Sequence, residues 1–174
     1  MRILFRLFIF LFFFLNFNLS QSVEKIVFVD MDYLFSTSKA GKSISKQLNK
    51  IHKTNIEKIS KFNETLKEDE RDLLAKKNIL SEENYLKEIS EFRSKAEKLQ
   101  KDRKQLIDSL TKKKLKSTSQ LVEIIRPILA EYSLKNSISI IVQKKNIIIG
   151  KSELDITQQI LQLVDKKVAT IKIK

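Results

Sequence analysis

Two stretches carry residue types at spacings that could do phosphate chemistry. "KIVFVDMDYLF" (Lys25 to Phe35) is a β-branched run ending in Asp30 and Asp32, the D-x-D arrangement in which a carboxylate can attack a phosphoryl group. "STSKAGKS" (Ser36 to Ser43) then places Gly41-Lys42-Ser43 where a glycine-rich loop would cradle phosphates with its backbone N–H groups. Both readings fail on their surroundings. A D-x-D phosphatase needs Thr, Val or a glycine-rich loop after its aspartates, and later strands that bring a Lys and further carboxylates to magnesium. Here Tyr33 and Leu34 follow, and no alternation of strands and helices comes after them. Ser36 stands where the first loop glycine belongs. His52, the sole histidine, lies among lysines and reads as a solvated helix residue, and the absence of cysteine removes thiol nucleophiles, zinc–thiolate sites and disulfides. No residue set pairs a nucleophile with a base. The chain therefore reads as non-enzymatic, with no cofactor and no metal, and Asp30 or Asp32 reads as the N-cap of a short helix over "YLFSTS".

The elements around these residues follow from breakers and periodicity. Only two glycines and one proline occur, which favours long helices. From Lys42 to about Ile79, Ile44, Leu48, Ile51, Ile59, Phe62, Leu66 and Leu73 recur at intervals near three and four, with a polar gap near Asn55. That is one stripe on a helix about 55 Å long. "NILSEEN" interrupts it, and Ser81 is placed to cap a second helix with Glu82 and Glu83 in its first turn. The second stripe is Leu86, Ile89, Phe92, Ala96, Leu99, Leu106 and Leu110, with Arg103 in a seam position. Neither narrow stripe buries itself alone, so the two helices must form an antiparallel hairpin, an arm over residues 42–116 with its tip near 79–82.

Residues 23–41 and 117–174 make the body. "LVEIIRPILAEYSL" is apolar on more than one face, and Pro127 is expected to kink the helix. "SISIIVQKK" and "NIIIGK" read as a β-hairpin, strands near 137–143 and 146–149, beside a first strand near 25–30. Asp155 as N-cap with Gln158 three residues later opens a last amphipathic helix. The expected fold is mainly α with a small β body (α+β). Three short strands make a small core, so Val27, Val29, Ile138, Ile140 and Val142 are expected to form an oligomer core shared between chains.

At the N-terminus, "MRILFRLFIFLFFFLNFNLSQS" has Arg2 and Arg6, an apolar run Leu7 to Leu15, then small and polar residues, the order of a secretory signal over residues 1–22 cleaved after Ser20 or Ser22. Its apolar core falls short of the roughly 20 residues a spanning helix needs. A retained segment would instead make a membrane-anchored coiled-coil structural or envelope-tethering protein.

Charge is distributed unevenly along the arm. Residues 64–97 hold 7 Lys/Arg against 10 Asp/Glu, whereas 45–63 and 98–116 together hold 13 against 3. A basic root attracts acidic polymers, and its candidate binding residues are Lys46, Lys50, Lys53, Arg103, Lys104, Lys112, Lys113 and Lys114. No nucleic-acid recognition motif accompanies them, and a secretory signal argues against specific nucleic-acid binding.

The order of signal, strand ending in Val29-Asp30, Phe35, Ser38, Gly41-Lys42, Leu48, charged hairpin, and then the Asp155-Ile156-Thr157 helix start resembles the Skp (OmpH) family of periplasmic chaperones over the whole mature chain. The resemblance implies a homotrimer with a β-barrel-like body and three helical arms around a cavity. It implies that the cavity holds unfolded outer-membrane proteins in the periplasm without ATP. An anionic membrane or lipopolysaccharide is a further candidate partner of the basic root.

Overall fold

The computed structural model describes residues 24–173, so the expected signal segment lies outside the described residues. Strand β1 (Lys25–Val29) leads into helix α1 (Met31–Thr37), then the long helices α2 (Lys39–Lys76) and α3 (Glu82–Lys135), strand β2 (Ile138–Gln143), two single 3-10 turns (Lys144–Asn146 and Ser152–Leu154), and helix α4 (Thr157–Lys167). Local chemistry sets each helix start. Asp30 caps α1, its Oδ1 accepting from Tyr33 N–H at 2.8 Å. Ser38 caps α2 by accepting from Gly41 N–H, and Ser81 caps α3 by accepting from Asn84 N–H. The D-x-D aspartate is thus a helix cap. Gly41 is required because α1 and α2 cross closely there: a Cβ at this position would lie 1.9 Å from the Phe35 carbonyl oxygen.

The sheet differs from the sequence expectation. β1 and β2 pair in parallel, from Ile26 opposite Ile140 to Val29 opposite Gln143, with an irregularity between Lys25 and Ile26. No hairpin forms, because the residues after Gln143 turn into a 3-10 segment and 147–149 pair with nothing among the described residues. Ile148 and Ile149 are 99% and 91% exposed. β-branched content favours a strand only where a neighbouring edge is available. Parallel neighbours need a crossover connection, and here that crossover, α1 to α3, has grown into the arm. Phe28 makes a further parallel bridge to Asp155, with Ile156 N–H donating to the Phe28 carbonyl at 3.0 Å.

α4 also starts differently. Ile156 is its N-cap and makes no side-chain capping bond. Asp155 acts from one residue earlier, its Oδ1 accepting from Thr157 N–H at 2.9 Å and from the Thr157 hydroxyl. That hydroxyl in turn accepts from Asp30 N–H at 2.9 Å, which stitches the end of β1 to the start of α4. The body core gathers Val27, Val29, Leu34, Ile44, Leu121, Ile125, Ile138, Ile160 and Val164 from both strands and all four helices. Met31 opens α1 and packs against this core. Pro127 does not end α3, which continues to Lys135.

Candidate functional site

The arm is α2 against the arm half of α3, closed by residues 77–81. Three side-chain bridges fix its register: Arg103 Nη2 donates to Asn63 Oδ1 at 2.8 Å, Lys95 meets Asp69 at 2.8 Å, and Lys76 meets Glu88 at 3.2 Å. As the pairs climb α3 they descend α2, as antiparallel packing demands. The Asp69 carboxylate also holds the Lys95 ammonium above its ordinary pKa, through their hydrogen bond and their charges.

The seam corrects the sequence stripe in two places. Phe62 and Leu86 are more than half exposed, while Asn63 and Tyr85 turn inward. On α2 the inward row reads Ile51, Asn55, Ile59, Asn63, Leu66, Asp69, Leu73, a regular three-and-four spacing that includes polar members. Counting apolar residues alone hides it. Arg103 does sit in the seam, half-buried, with its Nε without a hydrogen-bond partner among the described residues.

The proposed basic patch does not stay together. Lys46, Lys50, Lys53, Lys104, Lys112 and Lys114 are exposed, and none closes an ion pair among the described residues. Lys46, Lys50 and Lys53 share one face of α2 by their four- and three-residue steps. The run Lys112 to Lys114 is split. Lys112 and Lys113 line a cleft along α3 with Gln105, Ser109 and Lys116. Lys114 opens instead on a groove where α1, α2 and α3 converge, with Phe35, Ile44 and Leu48 below and His52 on the rim. Arg103 is committed to Asn63. Three consecutive lysines cannot share a helix face, since each residue turns the helix by about 100°.

Of the expected oligomer core, Val27, Val29 and Ile138 are buried inside the single chain, at 1%, 2% and 7% exposure. They belong to its own core. Val142 is half-buried and Ile140 is 48% exposed, as is its neighbour across the sheet, Ile26, at 47%. These two, with Leu134, Ile148 and Ile149, are apolar surface left open around the sheet. Two residues further along β1 than Ile26, Lys144 bridges Asp155 at 2.8 Å and lies 6.0 Å from the Phe28 ring centre. Burial alone would raise the Asp155 carboxyl, but bonds from Lys144 and Thr157 outweigh it and hold the group below the usual carboxylate range.

A small parallel sheet whose crossover is a long polar-seamed hairpin, with exposed lysines along the arm and apolar side chains open beside the sheet, defines an arm-bearing α+β protein. Among the described residues no helix is long and apolar enough to cross a membrane. The chain belongs to the OmpH-like outer membrane protein family, whose profile matches residues 25–164. A search of curated proteins returns no match. Among solved structures, the chain is similar to an OmpH-like protein of Caulobacter crescentus CB15, at 14% identity and a TM-score of 0.80, over 88% of this chain and 90% of that one. At that identity the likeness is one of fold.

Proposed function

We propose that the mature chain is an ATP-independent periplasmic holdase that assembles as a homotrimer and shelters unfolded outer-membrane proteins between its arms, without catalysis or cofactor. Family membership supports the reading, as does the proposed role of the Caulobacter protein as an outer membrane chaperone. The observation that carries it is the arm surface. Exposed Ile56, Phe62, Leu74, Leu86, Ile107 and Leu115 alternate with lysines that have no ion-pair partner among the described residues. Scattered contacts of this kind are weak one by one and strong in sum, which suits an unfolded chain that must later be released. In this reading Ile26 and Ile140 face a neighbouring chain, the signal segment is removed, and Lys46, Lys50, Lys53, Lys104, Lys112 and Lys114 meet acidic client segments, an anionic membrane or lipopolysaccharide.

The test is direct. A urea-denatured outer-membrane barrel is diluted into buffer with the purified mature protein and no nucleotide, and turbidity is followed. The barrel should stay soluble at about one trimer per client. Aggregation at the rate seen without the protein refutes the holdase reading, and a stable folded monomer in native mass spectrometry refutes the trimer.

A further inference from the structure

The tail after α4 crosses the root of the arm. α4 closes at Lys167, Val168 takes extended backbone (φ −147°, ψ 122°), and the chain continues without regular structure to Ile173. Ile171 is buried in the core and Ile173 packs against it. Between them the Gln47 amide of α2 grips the tail twice: its Nε2 donates to the Ile171 carbonyl at 2.7 Å, and its Oε1 accepts from Ile173 N–H at 3.1 Å. One side-chain amide thereby imitates the alternate N–H and C=O of a neighbouring strand. Nε2 also lies 3.1 Å from the Ser43 carbonyl, one turn back on α2, which keeps the amide aimed at the tail. A second tie is made from α4 itself, where Asp165 Oδ1 accepts from Lys39 N–H at 2.7 Å. α2 is therefore held by the C-terminal region at two points about 12 Å apart along its axis. Residues 165–173 lie beyond the segment that the family profile matches.

The mechanics of a hairpin give those ties a role. α3 runs unbroken from the arm into the core, where Leu121, Ile125 and Ile128 are buried, so it is the fixed rail, whereas α2 enters the same core only by its first two turns, at Ala40, Gly41 and Ile44. α2 is the second rail, and residues 77–81 join the two at the tip. Two joined rods bend only if they slide past each other, and with one end closed the slip must appear at the root. For axes about 10 Å apart and an arm about 55 Å long, a tip displacement of about 5 Å needs about 2 Å of slip. Hydrogen bonds of the lengths found at Gln47 do not survive such a slip. Two touching rods locked against shear are about fivefold stiffer in bending than two that slide freely.

We infer that the C-terminal tail is a strap that locks α2 against sliding along α3 and so sets how far the arm bends. Its consequence for the size of client accommodated rests on the holdase reading; the lock itself does not, and is measured without client. The chain has no cysteine, so Asn78→Cys at the tip and Lys145→Cys on the body accept spin labels cleanly. Labelled chain, diluted in an excess of unlabelled chain so that only distances within one chain are seen, is compared with the same chain carrying Gln47→Leu and with one ending at Lys167. The distribution of tip-to-body distances should at least double in width in both. Gln47→Leu keeps the apolar packing of the tail, so it tests the lock even where the shortened chain fails to fold. Amide exchange in β1 and β2 is measured on the same samples and should stay unchanged in Gln47→Leu. Equal widths in wild type and Gln47→Leu overturn the inference. So does faster exchange throughout the body of Gln47→Leu, which would make Gln47 and the tail core packing and nothing more.

Discussion

The Arg103–Asn63 bridge provides the sharpest test of how the arm is held. A hydrogen bond from a charged donor is worth about 1.5–3 kcal/mol, and here the guanidinium is half-buried with its Nε already unpartnered among the described residues. Asn63→Ala removes the acceptor that the guanidinium finds among the described residues and should cost the arm about 2 kcal/mol. At 1.4 kcal/mol per factor of ten, amides of residues 59–66 and 99–106 should exchange about 30-fold faster. Arg103→Met alone should cost less, about 0.5 kcal/mol, because the Asn63 amide can turn to water while the methionine stem refills the seam. With the arginine gone, Asn63→Leu should be neutral or stabilising by about 1 kcal/mol, since an apolar pair of similar volume replaces a desolvated polar one. The cycle over Asn63→Ala and Arg103→Met should therefore show a coupling of about 1.5–2 kcal/mol in native-state hydrogen exchange. Additivity within about 0.3 kcal/mol would mean that the bridge does not hold the arm. The same Arg103→Met variant should hold a barrel client as well as wild type, because that guanidinium is occupied in the seam.

Other positions give independent checks. Gly41→Ala places a Cβ against the Phe35 carbonyl at the α1–α2 crossing; the body should lose more than about 3 kcal/mol or fail to fold, read by urea denaturation. Asp155 is held below its ordinary pKa in the fold, so its stabilising contribution is present above pH about 4 and is lost as pH falls through the lowered value. Asp155→Asn should flatten the fall in urea midpoint between pH 5 and pH 2, and an unchanged slope would refute the assignment. Ser137, in the left-handed region at φ 50° just after α3, should gain about 0.5–1 kcal/mol as Ser137→Gly, measured as a rise in urea midpoint. Replacing Lys46, Lys50 and Lys53 by Gln should weaken client holding at low salt and remove most of its salt dependence, with an unchanged circular dichroism spectrum.

The two long helices and the Ser81 cap were legible from residue order alone, whereas the first helix starts at Lys39 rather than Lys42, under a Ser38 cap that periodicity did not mark, and ends at Lys76 rather than near Ile79. Helical bonds are local, breakers are nearly absent between Lys39 and Lys76, and Ser38 and Ser81 each find a backbone N–H three residues ahead. A cap by Asp30 or Asp32 was legible for the same reason, and the geometry selects Asp30. Tertiary structure decided the rest. Whether "NIIIG" becomes a strand depends on an edge to pair with, and β2 instead joins β1, which the chain reaches only by way of the whole arm. Which polar residues enter the seam, Asn63 and Arg103 among them, depends on what stands opposite on the other helix. The lysine run 112–114 is split between a cleft along α3 and the groove beside His52 because the packing of α2 and α1 divides the surface of α3. Gln47 and the tail, separated by more than half the chain, meet only once α4 is seated. Periodicity records which side of an element is buried, but the partner across a long loop is fixed by the shape and unpaired backbone groups that the rest of the fold presents.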